Sequence, residues 1–131
     1  MQERKGIRIL VIDDDDIFRH VMRIHLTHAG YKVETAEDAI EGGKAMLASP
    51  PDLIICDINM PHMDGMELQS LLRTDPRTAS IPFIFASARS EVDIMVKALD
   101  SGAIDYLHKP VTLERLLEAV AAVVGKAEGE S

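Results

Sequence analysis

The chain has 131 residues, a hydrophobic fraction of 47% and a formal net charge of −8, which fit one globular domain. An acidic surface repels phosphate backbones, so this composition argues against direct nucleic-acid binding by the chain. The longest apolar run, residues 119–124, is too short to span a bilayer, and the single cysteine, Cys56, excludes an internal disulfide. We therefore expect a cytoplasmic domain that does not enter a membrane.

Five strand-like segments alternate with five helix-like segments along the chain. Short apolar runs rich in β-branched residues predict buried parallel strands. The predicted strands are residues 7–12, residues 32–35, residues 53–56, the run that follows Pro82, and residues 105–107. Because helices separate them, these strands are expected to form a parallel sheet.

Apolar residues that recur every three or four positions predict the helices between the strands. The first helix has Asp15 or Asp16 as its expected cap and ends at Gly30, and the fifth begins after Thr112 as N-cap. The other three are predicted at residues 37–47, 65–73 and 91–101. The apolar stripe of the fifth helix is expected to comprise Leu113, Leu116, Leu117, Val120 and Val124.

The order of the strands in the sheet follows from their composition. The first and third strands are the most continuously apolar and should be central, whereas the alternating second strand and the short fifth strand suit the edges. With right-handed crossovers, the order 2-1-3-4-5 satisfies these constraints. We therefore predict an α/β fold, namely a doubly wound, flavodoxin-like, five-stranded parallel sheet with helices on both faces.

Polar residues follow four of the five predicted strands. They are Asp13 and Asp14, Asp57, Ser87 and Lys109. Because the carboxyl ends of parallel strands share one edge, these side chains should converge there. Three crowded carboxylates repel one another unless a cation is present, and an all-oxygen ligand set suits Mg²⁺. The group predicts a phosphoryl-transfer site in which Asp57, the central carboxylate, is the nucleophile.

The motifs around these residues resemble the receiver domain of two-component response regulators. The motifs are Ile12-Asp13-Asp14, the segment Asp-Ile-Asn-Met-Pro-His-Met-Asp-Gly at residues 57–65, Ser87-Ala88, and Tyr-Leu-His-Lys-Pro at residues 106–110. The resemblance covers residues 7–124 and implies a chemotaxis-type, single-domain receiver fold. We expect a receiver domain at residues 7–125 between polar tails at residues 1–6 and 126–131.

The resemblance implies that Asp57 accepts a phosphoryl group from a histidine kinase or a histidine phosphotransfer protein. Asp14 and Asp57 would ligate Mg²⁺, or Mn²⁺ in its place, together with the backbone carbonyl of Asn59. Asp13 would act on the metal through a water molecule. Such a domain catalyses its own phosphorylation and dephosphorylation and is not a conventional enzyme.

The resemblance also assigns the residues that respond to the phosphoryl group. Lys109 and Ser87 would contact phosphoryl oxygens, and Tyr106 would change rotamer when Ser87 moves. The Lys109–Pro110 peptide bond would be cis. Asn59 and Arg89 would flank the phosphoryl group and tune its lifetime.

A downstream protein target or an output domain would then read the altered surface. That surface comprises the fourth helix, the fifth strand and the fifth helix. The resemblance further implies that two copies pair through the same face on activation. The sequence leaves open whether the receiver is a separate protein or one domain of a longer regulator or hybrid kinase.

Two other functions compete with this interpretation. An Asp-rich segment after an apolar strand is also typical of haloacid-dehalogenase-type phosphatases, with Asp13 as nucleophile, although Asp16-Ile17 stands where a Gly-Thr-like continuation is expected. A degenerate receiver that only binds partners is the second alternative. The intact set of Asp13, Asp14, Asp57, Ser87 and Lys109 argues against it.

The histidines and methionines have simpler interpretations than a metal site. The histidines lack cysteine or carboxylate partners at ligand spacings, so surface positions are expected for His20, His25, His28, His62 and His108. Met60, Met63 and Met66 are expected to pack beneath the loop after the third strand.

Overall fold

A computed structural model describes residues 6–125, in which five strands alternate with five helices. The strands are β1 (Arg8–Ile12), β2 (Lys32–Ala36), β3 (Leu53–Cys56), β4 (Phe83–Ser87) and β5 (Asp105–His108). The helices are α1 (Asp16–His28), α2 (Ala39–Ala48), α3 (Gly65–Arg73), α4 (Val92–Asp100) and α5 (Leu113–Val124). The predicted elements are therefore confirmed, with small shifts at their ends. Apart from Gly6, the two predicted tails lie outside the described residues.

The strands form one parallel sheet in the order β2-β1-β3-β4-β5. This arrangement confirms the predicted order and the doubly wound α/β fold. In the register of the sheet, Ile12 of β1 lies beside Cys56 of β3, and Cys56 lies beside Phe85 of β4. Because β1 and β3 end level with each other and β4 ends only two residues further on, the residues that follow these strands meet at one edge.

The core consists of two hydrophobic clusters, one on each face of the sheet. Successive residues of a strand point to opposite faces, so Ile55 joins the cluster beneath α1 and α5, and Cys56 joins the cluster beneath α2, α3 and α4. Burial of each large aliphatic side chain contributes about 1.5–3 kcal/mol to folding. The two clusters thus hold the central strands from both sides and fix their carboxyl ends.

Several predicted side-chain positions can be compared with the structure. The methionine prediction is confirmed, because Met60, Met63 and Met66 all pack against the second cluster. Leu113 was wrongly placed in the apolar stripe of α5. It is the first residue of the helix, directly after the cap, and its side chain remains 44% exposed.

The ends of the helices use the chemistry expected from the sequence. The side chain of Asp15 accepts hydrogen bonds from the N–H groups of Ile17 and Phe18, and Thr112 caps α5 through the N–H of Arg115. Both predicted caps are therefore confirmed. Within residues 6–125, no helix combines the length and apolarity that crossing a bilayer would require.

Candidate functional site

Backbone hydrogen bonds extend the sheet past the ends of its strands and fix the residues that follow. The N–H of Asp13 donates to the carbonyl of Ala36 at 3.0 Å, and the N–H of Asp57 donates to the carbonyl of Ile12 at 3.0 Å. The N–H of Lys109 donates to the carbonyl of Ser87 at 2.9 Å. The sheet therefore positions the backbones of these site residues before their side chains interact.

Three carboxylates meet at this edge. Asp13, Asp14 and Asp57 each offer an oxygen, and these oxygens lie within 4.8 Å of one another. Asp13 is fully buried, Asp57 is 8% exposed and Asp14 is exposed. An all-carboxylate donor set that is open to solvent on one side fits a hard divalent cation that retains water, as Mg²⁺ does.

The ammonium group of Lys109 lies between two of the carboxylates. Its Nζ is 2.7 Å from Oδ2 of Asp13 and 3.4 Å from Oδ2 of Asp57. Burial lowers the pKa of Lys109, but its hydrogen bond to Asp13 and the two negative charges outweigh burial and leave that pKa raised. Lys109 is therefore a charged group at neutral pH, placed where a phosphoryl oxygen next to Asp57 would lie within its reach.

Asp13 experiences opposing influences. Burial raises its pKa, the hydrogen bonds from Lys109 and from the N–H of Asp15 lower it, and the charge of Asp57 raises it again. The net result is a raised pKa, because the side chain is removed from water beside a second carboxylate. The cluster thus carries unfavourable negative charge that a bound cation would relieve.

The backbone around Asp57 is held in place by α3. The Oδ1 atom of Asp57 accepts the N–H of Ile58 at 2.7 Å, and the N–H of Gly65 donates to the carbonyl of Ile58 at 2.8 Å. A Cβ atom at Gly65 would collide with the carbonyl oxygen of Asp57. Asp64 and Glu67 form a capping box that starts α3.

The two predicted switch residues are joined through the backbone of Arg89. The Oγ of Ser87 accepts the N–H of Arg89 at 3.0 Å, and the hydroxyl of Tyr106 donates to the carbonyl of Arg89 at 2.7 Å. Both side chains are buried. Movement of the Ser87 hydroxyl would therefore release one anchor of the same loop residue that Tyr106 holds.

Asn59 and Arg89, which follow β3 and β4, contact each other. Nη1 of Arg89 is 3.4 Å from Oδ1 of Asn59, and Nε of Arg89 is 2.6 Å from Oε2 of Glu91. Glu91 draws the guanidinium towards the start of α4. The Lys109–Pro110 peptide bond is cis.

Sequence reasoning missed two residues that contact the site. The ring centroid of Phe18 lies 4.2 Å from Nζ of Lys109, a contact that the apolar spacing of α1 does not indicate. Nη1 of Arg19 donates to the carbonyl of Asp13 at 2.6 Å, and the guanidinium also pairs with Asp16. The i, i+3 spacing of Asp16 and Arg19 was a signal for that ion pair.

The histidines do not contribute to the carboxylate cluster. Among the described residues, the group of candidate metal ligands contains only the three aspartates. His20, His28, His62 and His108 are exposed, as predicted, whereas His25 is half-buried on α1. His25 therefore remains partly exposed, and none of the five histidines joins the three aspartates.

Comparison with known proteins identifies the family. The sequence model of the response regulator receiver domain matches residues 9–121. The chain belongs to this family. The resemblance expected from the motifs is thereby confirmed for this receiver.

Curated relatives of the receiver are longer proteins. The DNA-binding dual master transcriptional regulator RpaA of Synechocystis sp. is 39% identical over 121 residues, which cover 92% of this chain and 50% of the relative. Response regulator MprA of Mycobacterium bovis is 38% identical over 125 residues, which cover 95% of this chain and 54% of the relative. The receiver spans about half the length of these relatives.

Solved structures of similar length share the fold of the receiver. Chemotaxis protein CheY4 of Vibrio cholerae has a TM-score of 0.84 and 30% identity, with coverage of 90% of this chain and 98% of that chain. A putative response regulator from Chloroflexus aurantiacus has a TM-score of 0.86 and 29% identity, with coverage of 92% and 99%. The flavodoxin-like fold of the receiver is thereby confirmed.

Proposed function

We propose that this receiver is a phosphorylation-driven switch in which Asp57 accepts the phosphoryl group of a phosphohistidine. The donor would be a histidine kinase or a histidine phosphotransfer protein. The observation that carries the proposal is the position of Lys109 Nζ between Asp13 and Asp57, in a cluster completed by the carboxylate of Asp14. A fixed cation beside a carboxylate at the rim of a sheet is suited to receive a phosphoryl group.

Accessibility favours Asp57 over Asp13 as the nucleophile. The side chain of Asp13 is only 1% exposed, and its two oxygens accept hydrogen bonds from Lys109 and from the N–H of Asp15. The side chain of Asp57 is 11% exposed, and its Oδ2 makes the longer of the two contacts with Lys109, at 3.4 Å. These differences weigh against the phosphatase alternative, which requires Asp13 to attack.

The carboxylates fit a divalent cation. Asp14 and Asp57 would hold Mg²⁺, or Mn²⁺, with the backbone carbonyl of Asn59, while Asp13 would act through water. When bound, the cation supplies positive charge that offsets the negative charge of the carboxylates and of the incoming phosphoryl oxygens. The burial of Asp13 and the negative charge of Asp57, which both raise the pKa of Asp13, favour a cation at this site.

In the transfer step, an oxygen of Asp57 forms a bond to phosphorus while the bond between phosphorus and the donor imidazole nitrogen breaks. The bonding electrons leave with the imidazole, and Asp57 becomes an acyl phosphate. Lys109 contacts one phosphoryl oxygen, and Ser87 turns towards another. Water then cleaves the acyl phosphate and returns the carboxylate, at a rate that Asn59 and Arg89 tune from the mouth of the site.

The signal leaves the site through Arg89. When the Ser87 hydroxyl turns towards the phosphoryl group, it gives up the N–H of Arg89, and the loop before α4 can rearrange with Tyr106. The surface formed by α4, β5 and α5 changes shape as a result. A downstream protein or an output domain reads that surface, and two copies pair through it on activation.

The setting of this switch is also part of the proposal. The receiver domain comprises residues 7–125, flanked by tails at residues 1–6 and 126–131, and works in the cytoplasm. The net charge of −8 supports a protein partner over direct nucleic-acid contact by this chain.

Intact-mass spectrometry after incubation with acetyl phosphate and Mg²⁺ tests the proposal. We expect a phosphoryl adduct on the wild-type chain that is lost with Asp57→Asn and in a chelator. An adduct that survives Asp57→Asn and disappears with Asp13→Asn would overturn it in favour of the phosphatase. The absence of any adduct, even with a phosphohistidine donor, would favour a degenerate, binding-only receiver.

A further inference from the structure

The face of an aromatic ring borders the ammonium group of Lys109. The centroid of the Phe18 ring is 4.2 Å from Nζ, within the range in which the negative face of a ring attracts a cation. Asp13 and Asp57 border the same ammonium at 2.7 Å and 3.4 Å. Lys109 thus has two carboxylates and one ring as neighbours, and its side chain is only 17% exposed.

The ring itself is firmly supported. Phe18 lies in the first turn of α1, where its N–H donates to the capping carboxylate of Asp15. Its side chain packs against the first hydrophobic cluster, beneath α1 and α5. The ring is therefore fixed to the core on one side and faces the site on the other.

A lysine side chain has a flexible four-carbon stem and loses much rotamer freedom when it is held in one place. Asp13 alone would hold the ammonium in the buried part of the cluster, because that hydrogen bond is the shorter of the two. A ring face attracts the ammonium without neutralising its charge. The full positive charge consequently remains available to an oxygen bound beside Asp57.

We propose that Phe18 is a positioning residue that holds the Lys109 ammonium, through the face of its ring, where it meets the phosphoryl group on Asp57. The inference rests on the proposed function and adds a residue that lies outside every motif at the site. Phe18 acts through Lys109 and contacts no reacting atom.

Fluorination of the ring separates this role from packing. Mono-, di- and trifluorinated phenylalanine at position 18 keep the shape of the ring and progressively reduce the negative electrostatic potential of its face. The readout is the rate of adduct formation with acetyl phosphate at saturating Mg²⁺, measured beside the thermal midpoint. Phe83 is the matched control, because it is buried in the second cluster near the amino end of β4, remote from Ser87.

The expected result is a stepwise fall in rate, reaching roughly three- to tenfold for the trifluorinated ring at position 18, with little change in thermal midpoint. The same substitution at Phe83 leaves the rate unchanged. Phe18→Tyr retains the wild-type rate, whereas Phe18→Leu resembles the trifluorinated ring. A flat fluorination series, with normal phosphorylation of the wild type, would overturn the role of Phe18 alone. Failure of the wild type to form an adduct on Asp57 would overturn the proposed function and this inference together.

Discussion

Single residues at the site show how a buried charge can be stabilised without being neutralised. A buried carboxylate such as Asp13 is costly unless a cation and hydrogen bonds accompany it. Lys109 and the N–H of Asp15 supply both. The price is a site that remains net negative, since one ammonium faces three carboxylates. The cluster is thus arranged for a further cation more than for stability.

His62 has a backbone conformation that is unfavourable for a residue with a β-carbon. Its φ is 72°, in the left-handed region where a β-carbon costs about 1–2 kcal/mol. His62→Gly should remove that cost and add about 0.5–1 kcal/mol of backbone entropy loss on folding. We therefore expect a net gain of about 0.5–1 kcal/mol in the free energy of unfolding, measured with guanidinium. His62→Ala keeps the β-carbon and should show no such gain; equal stabilisation by both changes would argue against backbone strain.

Cys56 provides a probe of the sheet from within. It is fully buried, and burial, followed by the charges of Asp57 and Asp13, raises the pKa of its thiol well above the usual range. In the folded protein, alkylation by iodoacetamide at mildly alkaline pH should be at least about a thousandfold slower than in guanidinium, because it requires extensive opening. Rapid labelling of the native chain would instead show that the carboxyl end of β3 opens locally.

Among the elements, α3 has the most direct structural link to the nucleophile. Its capping box sets the helix start, and Gly65 allows the first turn to lie against the backbone of Asp57. The sequence Met-Asp-Gly therefore has a structural task in addition to forming a turn. It brings the helix close enough to fix the carbonyl groups of Asp57 and Ile58.

Gly65→Ala should disturb both stability and chemistry. The added methyl group would overlap the carbonyl oxygen of Asp57, and overpacking of this kind typically costs about 1–3 kcal/mol. We expect a loss of that size in denaturant unfolding, together with slower phosphorylation by acetyl phosphate, because the carboxylate shifts.

Gly43→Ala in α2 is the matched control. A β-carbon there meets nothing within 4 Å, so alanine should stabilise the helix by about 0.5–1 kcal/mol and leave phosphorylation unchanged. If Gly65→Ala behaved in the same way as Gly43→Ala, close approach of α3 would not be what positions Asp57.

For the whole molecule, the periodicity of the sequence was sufficient to predict the sheet and the convergence of its carboxyl ends. Apolar runs that end in Asp13, Asp57, Ser87 and Lys109 specify strands whose ends must share an edge. Such a pattern cannot show which side chains then touch. Phe18 was indistinguishable from an ordinary core residue of α1, since its contact with Lys109 joins the first turn of α1 to a residue that follows β5, far away in the sequence.

The family resemblance had linked Ser87 to Tyr106, but the sequence could not show the path of that link. It passes through the backbone N–H and carbonyl of Arg89, and these groups are common to almost every residue. Leu113 shows another limit of the pattern. The apolar spacing of α5 includes Leu113, but the part of the helix that packs against the core begins after it. Periodicity predicts faces well, but it does not predict where contact with the core begins.

The carboxylates at the carboxyl edge of the sheet should lower the stability of the cation-free protein and strengthen the binding of a divalent cation. Asp14→Asn tests both effects. Asp14 is the exposed member of the cluster, so asparagine removes a repelling charge without leaving a buried group unpaired. Without divalent ions, the variant should be more stable than the wild type by about 0.5–1.5 kcal/mol, the energy of about one close charge pair near a surface.

Addition of Mg²⁺ should reverse that ranking. A ligand that binds only the folded state stabilises it by about 2.7 kcal/mol at one hundred times its dissociation constant. The wild type should gain stability of that order, whereas Asp14→Asn should gain much less at the same Mg²⁺ concentration, because it lacks one anionic ligand. Guanidinium unfolding in a chelator measures the stability difference between the two proteins without the cation, and unfolding in Mg²⁺ measures the stability that each gains from it. Asp100→Asn is the control, since Asp100 is exposed at the end of α4, outside the cluster, and should leave the Mg²⁺ effect intact. Equal stabilisation of wild type and Asp14→Asn by Mg²⁺ would mean that the cation binds elsewhere.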